Sequence, residues 1–133
     1  MNEAMKVSNV QEYFNELDIN IKNNVIYAQI DAKAWKYLAF SGFATLSIQH
    51  FLLCFEKDRV VVAGVTTMGG FTKQNEVIKK DRIQSISYKK GLIQGKLIIT
   101  IENDEYIFIV PKTILVAPWH KENLRVLLEK NFN

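Results

Sequence analysis

Residues 85–101, SISYKKGLIQGKLIITI, set Lys89, Lys90 and Lys96 around Gly91 and Gly95, between two runs of β-type residues. Ammonium groups beside glycine-freed backbone amides are the parts from which a phosphate grip is made. With Lys79 and Lys80 on the preceding strand, these lysines make a candidate anion-binding patch. The competing reading is a solvated turn, in which the glycines supply backbone freedom and the lysines keep a strand end soluble and unpaired. Each lysine beside an anionic surface contributes roughly 1 kcal/mol, so the patch amounts to weak anchoring.

The remaining chemistry-bearing residues form no catalytic constellation. Residues 64–70, GVTTMGG, carry the glycine spacing of a phosphate loop, but Phe71 stands where a lysine and then Ser or Thr are needed. His50 and His120 have no acid or nucleophile at motif spacing. Cys54, alone of its type, lies in the apolar run FLLCF; it reads as core, with no disulfide or metal-ligand pattern to join. Glu102, Asp104 and Glu105 cluster at a turn without the ligand order of a calcium loop. The expectation is a protein with no catalytic residue, metal or cofactor. Trp35, Tyr37, Phe40 and Phe43 form an aromatic row that serves either as core or as an interface.

The elements that position these residues are bounded by length and composition. A chain of 133 residues, 48% apolar and 23% charged, fits one domain over 1–133 that buries a core without metal or disulfides. A net charge of +3 is too small to mark a nucleic-acid binder. The start, MNEAMKVSNVQEYF, lacks the apolar stretch of a secretory signal, and residues 39–55 carry Gln49 and His50 inside too short an apolar run to span a bilayer. A cytoplasmic location is expected.

Val10, Tyr13, Phe14 and Leu17 share one helical face, and Ser8 with Gln11 fits a capping box; the spacing predicts an N-terminal helix within 1–18. Lys22-Asn23-Asn24 reads as a turn before a first strand, Val25 to Ile30. Residues 31–49 fit helical and alternating patterns equally well. Strands follow at Phe51 to Glu56 and Arg59 to Val65 across Lys57-Asp58, then, after a Thr66 to Thr72 loop, at Asn75 to Lys79, Arg82 to Tyr88, Gly95 to Glu102 and Glu105 to Val110. Asn103-Asp104 is the expected turn of the last hairpin. Leu97, Ile99, Ile101, Tyr106, Phe108 and Val110 form its inward set. Ile98, Ile107 and Ile109 lie on the opposite face, apolar enough to call for cover by another layer or a second copy. A helix over 117–131 begins near Pro118 and packs through His120, Leu124, Leu127 and Leu128, with Arg125 and Glu129 in solvent.

A helix, about seven meandering strands over 25–110 and a terminal helix predict an α+β fold: a strongly bent antiparallel sheet or partial barrel capped by the C-terminal helix. The segment Phe51 to Val110, with FLLCFEKDRVVVAGV and VIKKDRIQSISYKKGLIQGKLIITIENDEYIFIV, resembles the bacterial pleckstrin-homology-like domains through Asp81-Arg82-Ile83, Lys90-Gly91 and Gly95. The resemblance implies a PH-like fold and a non-enzymatic binding or self-assembly module in a bacterial cytoplasm, its partner another protein or a second copy. The family's phosphoinositide grip lies around the first strand connection, here Asp31 to His50, whose lysines are only Lys33 and Lys36; that site does not carry over. Two alternatives stand beside this reading: a weak peripheral binder of anionic lipid or nucleic acid through the lysines, and a cone-shaped α+β domain enclosing a small ligand.

Overall fold

The computed structural model describes residues 6–30, 50–66 and 70–133. Helix α1 (Val7–Glu16) precedes strands β1 (Val25–Ile30), β2 (His50–Phe55), β3 (Arg59–Val65) and β4 (Phe71–Lys79); after a 3₁₀ turn, Lys80–Arg82, come β5 (Ile83–Lys89), β6 (Gln94–Ile101), β7 (Asp104–Pro111) and helix α2 (Trp119–Glu129). The fold is α+β, as the order of apolar patterns predicts. The aromatic residues Trp35, Tyr37, Phe40 and Phe43 lie outside the described residues, as do Lys33 and Lys36.

The seven strands form one antiparallel sheet in the order β4-β3-β2-β1-β7-β6-β5. Its edge strands β4 and β5 are consecutive in the chain. Laid flat, six strand spacings would separate them by about 29 Å. The chain from Lys79 to Ile83 spans at most about 14 Å. The sheet therefore curls until its two edges approach, yet β4 and β5 are not paired, so it stays an open barrel. Register shifts between Ala63 and Val65 and between Ile83 and Ser85 help it bend.

Curling sorts side chains by strand alternation into two cores. Inside lie Ile26, Phe51, Leu53, Val62, Leu97, Ile99 and Phe108, with Leu124 and Leu127 of α2. Outside, α1 lays Val10, Tyr13 and Phe14 over Leu52, Cys54, Val61 and Ala63. Strands β1 to β3 are thus covered on both faces, which explains why β2 and β3 read as nearly unbroken apolar runs. Tyr13 stacks on Phe71 with ring centroids 3.8 Å apart and donates its hydroxyl to Asn75 Oδ1 at 2.6 Å, pinning α1 across β4.

Four local expectations need correction. Lys6 occupies the N-cap of α1, its carbonyl accepting the Asn9 and Val10 amides, so Ser8 lies inside the helix and forms no capping box with Gln11. Strand β4 begins at Phe71, not Asn75: the Thr66 amide meets the Gly70 carbonyl and the Gly70 amide meets Thr66 Oγ1, which brings the two strand ends together at Gly70. The last hairpin turns at Glu102-Asn103, both with positive φ, one residue before the expected Asn103-Asp104. In α2, Leu128 is 38% exposed and Phe132, beyond the helix, supplies the buried contact instead. The Phe132 amide returns to the Leu127 carbonyl at 2.8 Å, and a positive φ turns its ring inward between Phe55 and Tyr88.

Helix α2 closes a split in the sheet. Strand β1 pairs with β2 from Val25 to Gln29 but with β7 only at Gln29 and Ile30. The β7-side groups of Val25 and Tyr27 would be orphaned in a dry interior. Two polar residues of α2 take them: Asn123 Nδ2 donates to the Val25 carbonyl at 2.9 Å, and His120 Nδ1 accepts the Tyr27 amide at 3.0 Å.

Candidate functional site

The fold uses both histidines and the cysteine as scaffold. His120 is fully buried, and since its Nδ1 accepts from Tyr27, its Nε2 carries the proton donated to the Pro111 carbonyl at 2.6 Å. Burial lowers its pKa from the ordinary 6.5, partly opposed by the Pro111 hydrogen bond, so the ring stays neutral. Cys54 is buried on the outer face beneath α1, and burial, with Glu56 nearby, pushes its thiol up to about 12. A thiol so held is no nucleophile at neutral pH. On the same face Gln29 Nε2 donates to the Tyr27 hydroxyl at 2.8 Å, and that hydroxyl lies 2.6 Å from His50 Nδ1. Burial raises the Tyr27 pKa and lowers that of His50, which makes the phenol the donor and the neutral imidazole the acceptor. This chain orders three side chains, and among the described residues no carboxylate acts on His50 to make it a strong base.

Among the described residues no group of three or more His, Cys, Asp and Glu side chains could hold a metal ion. Glu102 instead meets Arg82 Nη2 at 3.1 Å, and Gln84 Nε2 reaches Asn103 Oδ1 at 3.2 Å. Near the C-terminal end of α2 an open cleft of about 450 Å³ is lined by Asn20, Asn24, Lys22, Lys57, Lys130 and Asn133, among others. Phe55, Val126 and Leu127 supply its apolar wall, so the cleft is of mixed character and open to solvent.

The five candidate lysines do not form one patch. Lys79 and Lys80 stand where β4 ends and β5 begins, whereas Lys89 and Lys90 stand at the far end of β5, about 20 Å away over six residue steps. The Lys79–Lys80 end is salted with acids: the Lys80 amide meets the Asp58 carbonyl, Asp58 acts on the Lys80 charge, and the Arg82–Glu102 pair brings in the acidic turn. At the other end Lys89 lies directly opposite Lys96 across the β5–β6 pair. Neither 83–101 nor 106–121 contains an acidic residue, so Lys89, Lys90, Lys96 and Lys112 lie in chain segments whose charged residues are all basic.

The same end carries side chains that reasoning from charge overlooks. In the four-residue connection between β5 and β6, Leu92 is 90% exposed and Ile93 77%. The Lys112 amide donates to the Ile93 carbonyl at 3.1 Å, tying this tip to the end of β7. Three residues farther on, Leu115 is 98% exposed. The sequence signal was two bulky aliphatics inside a turn, where polar residues are the rule.

The glycines shape this tip by what they lack. Neither Gly91 nor Gly95 has a positive φ; a Cβ on Gly91 would lie 2.0 Å from the Gln94 carbonyl oxygen, and one on Gly95 would run into the Tyr88 ring. Close approach, not conformational freedom, is why both are glycine. Ile98, Ile107 and Ile109 sit on the outer face of β6 and β7, Ile98 buried and the other two half-buried.

Among the described residues, no helix is long and apolar enough to cross a membrane. Compared with known proteins, the chain matches no family model and no curated sequence.

Proposed function

We propose that this protein is a non-enzymatic binding module of PH-like design, working in a bacterial cytoplasm through the β5–β6 tip. The observation that carries the reading is the pairing of fully presented aliphatics, Leu92 and Ile93, with a basic surround at one end of the sheet. Exposed apolar side chains grouped on one projection, rather than scattered singly, mark contact sites. Against catalysis stands the use of both histidines and the cysteine as packing and hydrogen-bonding groups. Seven antiparallel strands followed by one helix support the PH-like design.

Photo-crosslinking tests the tip directly. A photoreactive amino acid at position 92, in the cell that makes the protein, is expected to give adducts; the same group at position 128, on the exposed side of α2, is the control. Equal or absent labelling at 92 counts against the tip as the working surface. Self-association is a second reading, favoured by the edges of β4 and β5, which pair with no further strand among the described residues, and by half-buried Ile107 and Ile109. Under it, light scattering finds a mass above the 15.4 kDa of one chain, and Ile107→Lys returns it to the single-chain value.

A further inference from the structure

We infer that the occupant of the tip is an anionic bilayer surface, with Leu92 and Ile93 entering the boundary between headgroups and acyl chains while Lys89, Lys90, Lys96 and Lys112 face the headgroups. The inference rests on the proposed binding role of the tip and names its partner.

Shape is the first argument. A stable protein interface needs roughly 800 Å² from each partner around a packed apolar centre. Here the apolar groups stand on a projecting turn and on the neighbouring connection at Leu115, 90%, 77% and 98% exposed. A bilayer asks for no matching pocket; apolar side chains need only reach its interfacial boundary.

Charge complementarity is the second. Glu102, Asp104 and Glu105 are gathered at the opposite turn of the β6–β7 hairpin, and the segments that build the tip, 83–101 and 106–121, carry no acidic residue. Lys89 and Lys96 are held opposite each other although like charges paired across strands destabilise a sheet. An anionic surface relieves that repulsion. Nucleic acid would supply the same negative charge, but the tip presents aliphatic side chains and no aromatic ring on which a base could stack.

Rigidity is the third. The Lys112–Ile93 backbone hydrogen bond and the Gly91 approach to Gln94 hold the turn in one shape before any partner arrives. Ordering on binding is then small, which favours a weak contact built from few groups.

The test is co-sedimentation with vesicles of phosphatidylcholine alone and of equal parts phosphatidylcholine and phosphatidylglycerol, at low and at physiological salt. Wild type is expected to bind the anionic vesicles only, more tightly at low salt. Lys89→Glu with Lys90→Glu is expected to weaken this by about 25-fold or more, since each lysine accounts for about fivefold. Leu92→Ser with Ile93→Ser is expected to lose about tenfold while keeping the melting temperature. Because Cys54 is buried, Leu92→Cys can be labelled selectively with an environment-sensitive fluorophore, whose emission should shift to the blue on anionic vesicles and not with soluble glycerol phosphate or an oligonucleotide. No vesicle binding by wild type, or full binding by the Leu92→Ser, Ile93→Ser variant, overturns the inference. Adducts at position 92 that are all protein, with no vesicle binding, overturn the bilayer and leave the tip as a binding surface.

Discussion

His120 Nδ1 accepts the backbone amide of Tyr27 at 3.0 Å across the seam where β7 leaves β1. The bond joins the terminal helix to the first strand, and the opposite ring nitrogen joins the same helix to the end of β7 at Pro111. One imidazole thereby bridges both sides of the split, in the neutral form and in a single tautomer.

Removing that bridge should be costly. His120→Ala leaves the Tyr27 amide and the Pro111 carbonyl without partners in a dry seam, at about 1–3 kcal/mol each. Denaturant unfolding followed by fluorescence measures the loss. A change below about 0.5 kcal/mol would mean that water or a neighbouring group had taken over both bonds.

The same geometry sets a pH dependence. Burial holds the folded pKa of His120 below 6.5, and that of His50 as well, so between the folded and unfolded pKa values the unfolded chain binds more protons. Stability is complete above about 6.5 and falls as pH drops from there toward the folded values. Unfolding curves above and well below that pH should show the fall in wild type and a smaller one in His120→Asn, which cannot protonate. An equal fall in both would assign the effect to other groups.

Local pattern made much of this fold legible, and long-range register concealed the rest. Strand β1 and the helical stripe through His120, Leu124 and Leu127 follow from periodicity because each is decided by its own side chains. The partners of His120 and Asn123 do not, since they depend on where β7 parts from β1, a register between residues about eighty apart in the chain. The lysines illustrate the same limit. Lys79 and Lys89 are near in sequence, yet the extended strand β5 between them sets them about 20 Å apart. Leu92 and Ile93 were readable as turn residues, but their exposure depends on how the rest of the fold packs around the turn, which local pattern does not encode.

Phe132 tests what lies past the last helix. Its ring is 3% exposed and fills the space between Phe55 and Tyr88, so Phe132→Ala should cost about 3–5 kcal/mol. Leu128→Ala, on the exposed side, should stay within about 0.5 kcal/mol. Thermal melts of the two variants separate the observed packing from the helical stripe that would bury Leu128.

Cys54 should be silent in the folded protein. A buried thiol held up to about 12 reacts only through opening of the α1–sheet contact, so labelling by a thiol reagent at neutral pH should be slow and should accelerate with denaturant in step with unfolding. Rapid stoichiometric labelling without denaturant would show that α1 detaches readily from β2 and β3.

The Glu102-Asn103 turn carries strain that can be relieved. Both residues sit at positive φ, 52° and 73°, in a two-residue hairpin connection that Asn-Gly suits better. A left-handed conformation costs an ordinary side chain roughly 1–2 kcal/mol. The Arg82–Glu102 ion pair, with both side chains well exposed, returns less than about 1 kcal/mol. Relief of backbone strain should therefore outweigh loss of the pair, and Glu102→Asn with Asn103→Gly should raise the melting temperature. Arg82→Ala, which removes the pair and leaves the strain, should lower it slightly. If the turn variant melts below wild type and Arg82→Ala melts equally low, the ion pair is the stronger term at this end of the sheet.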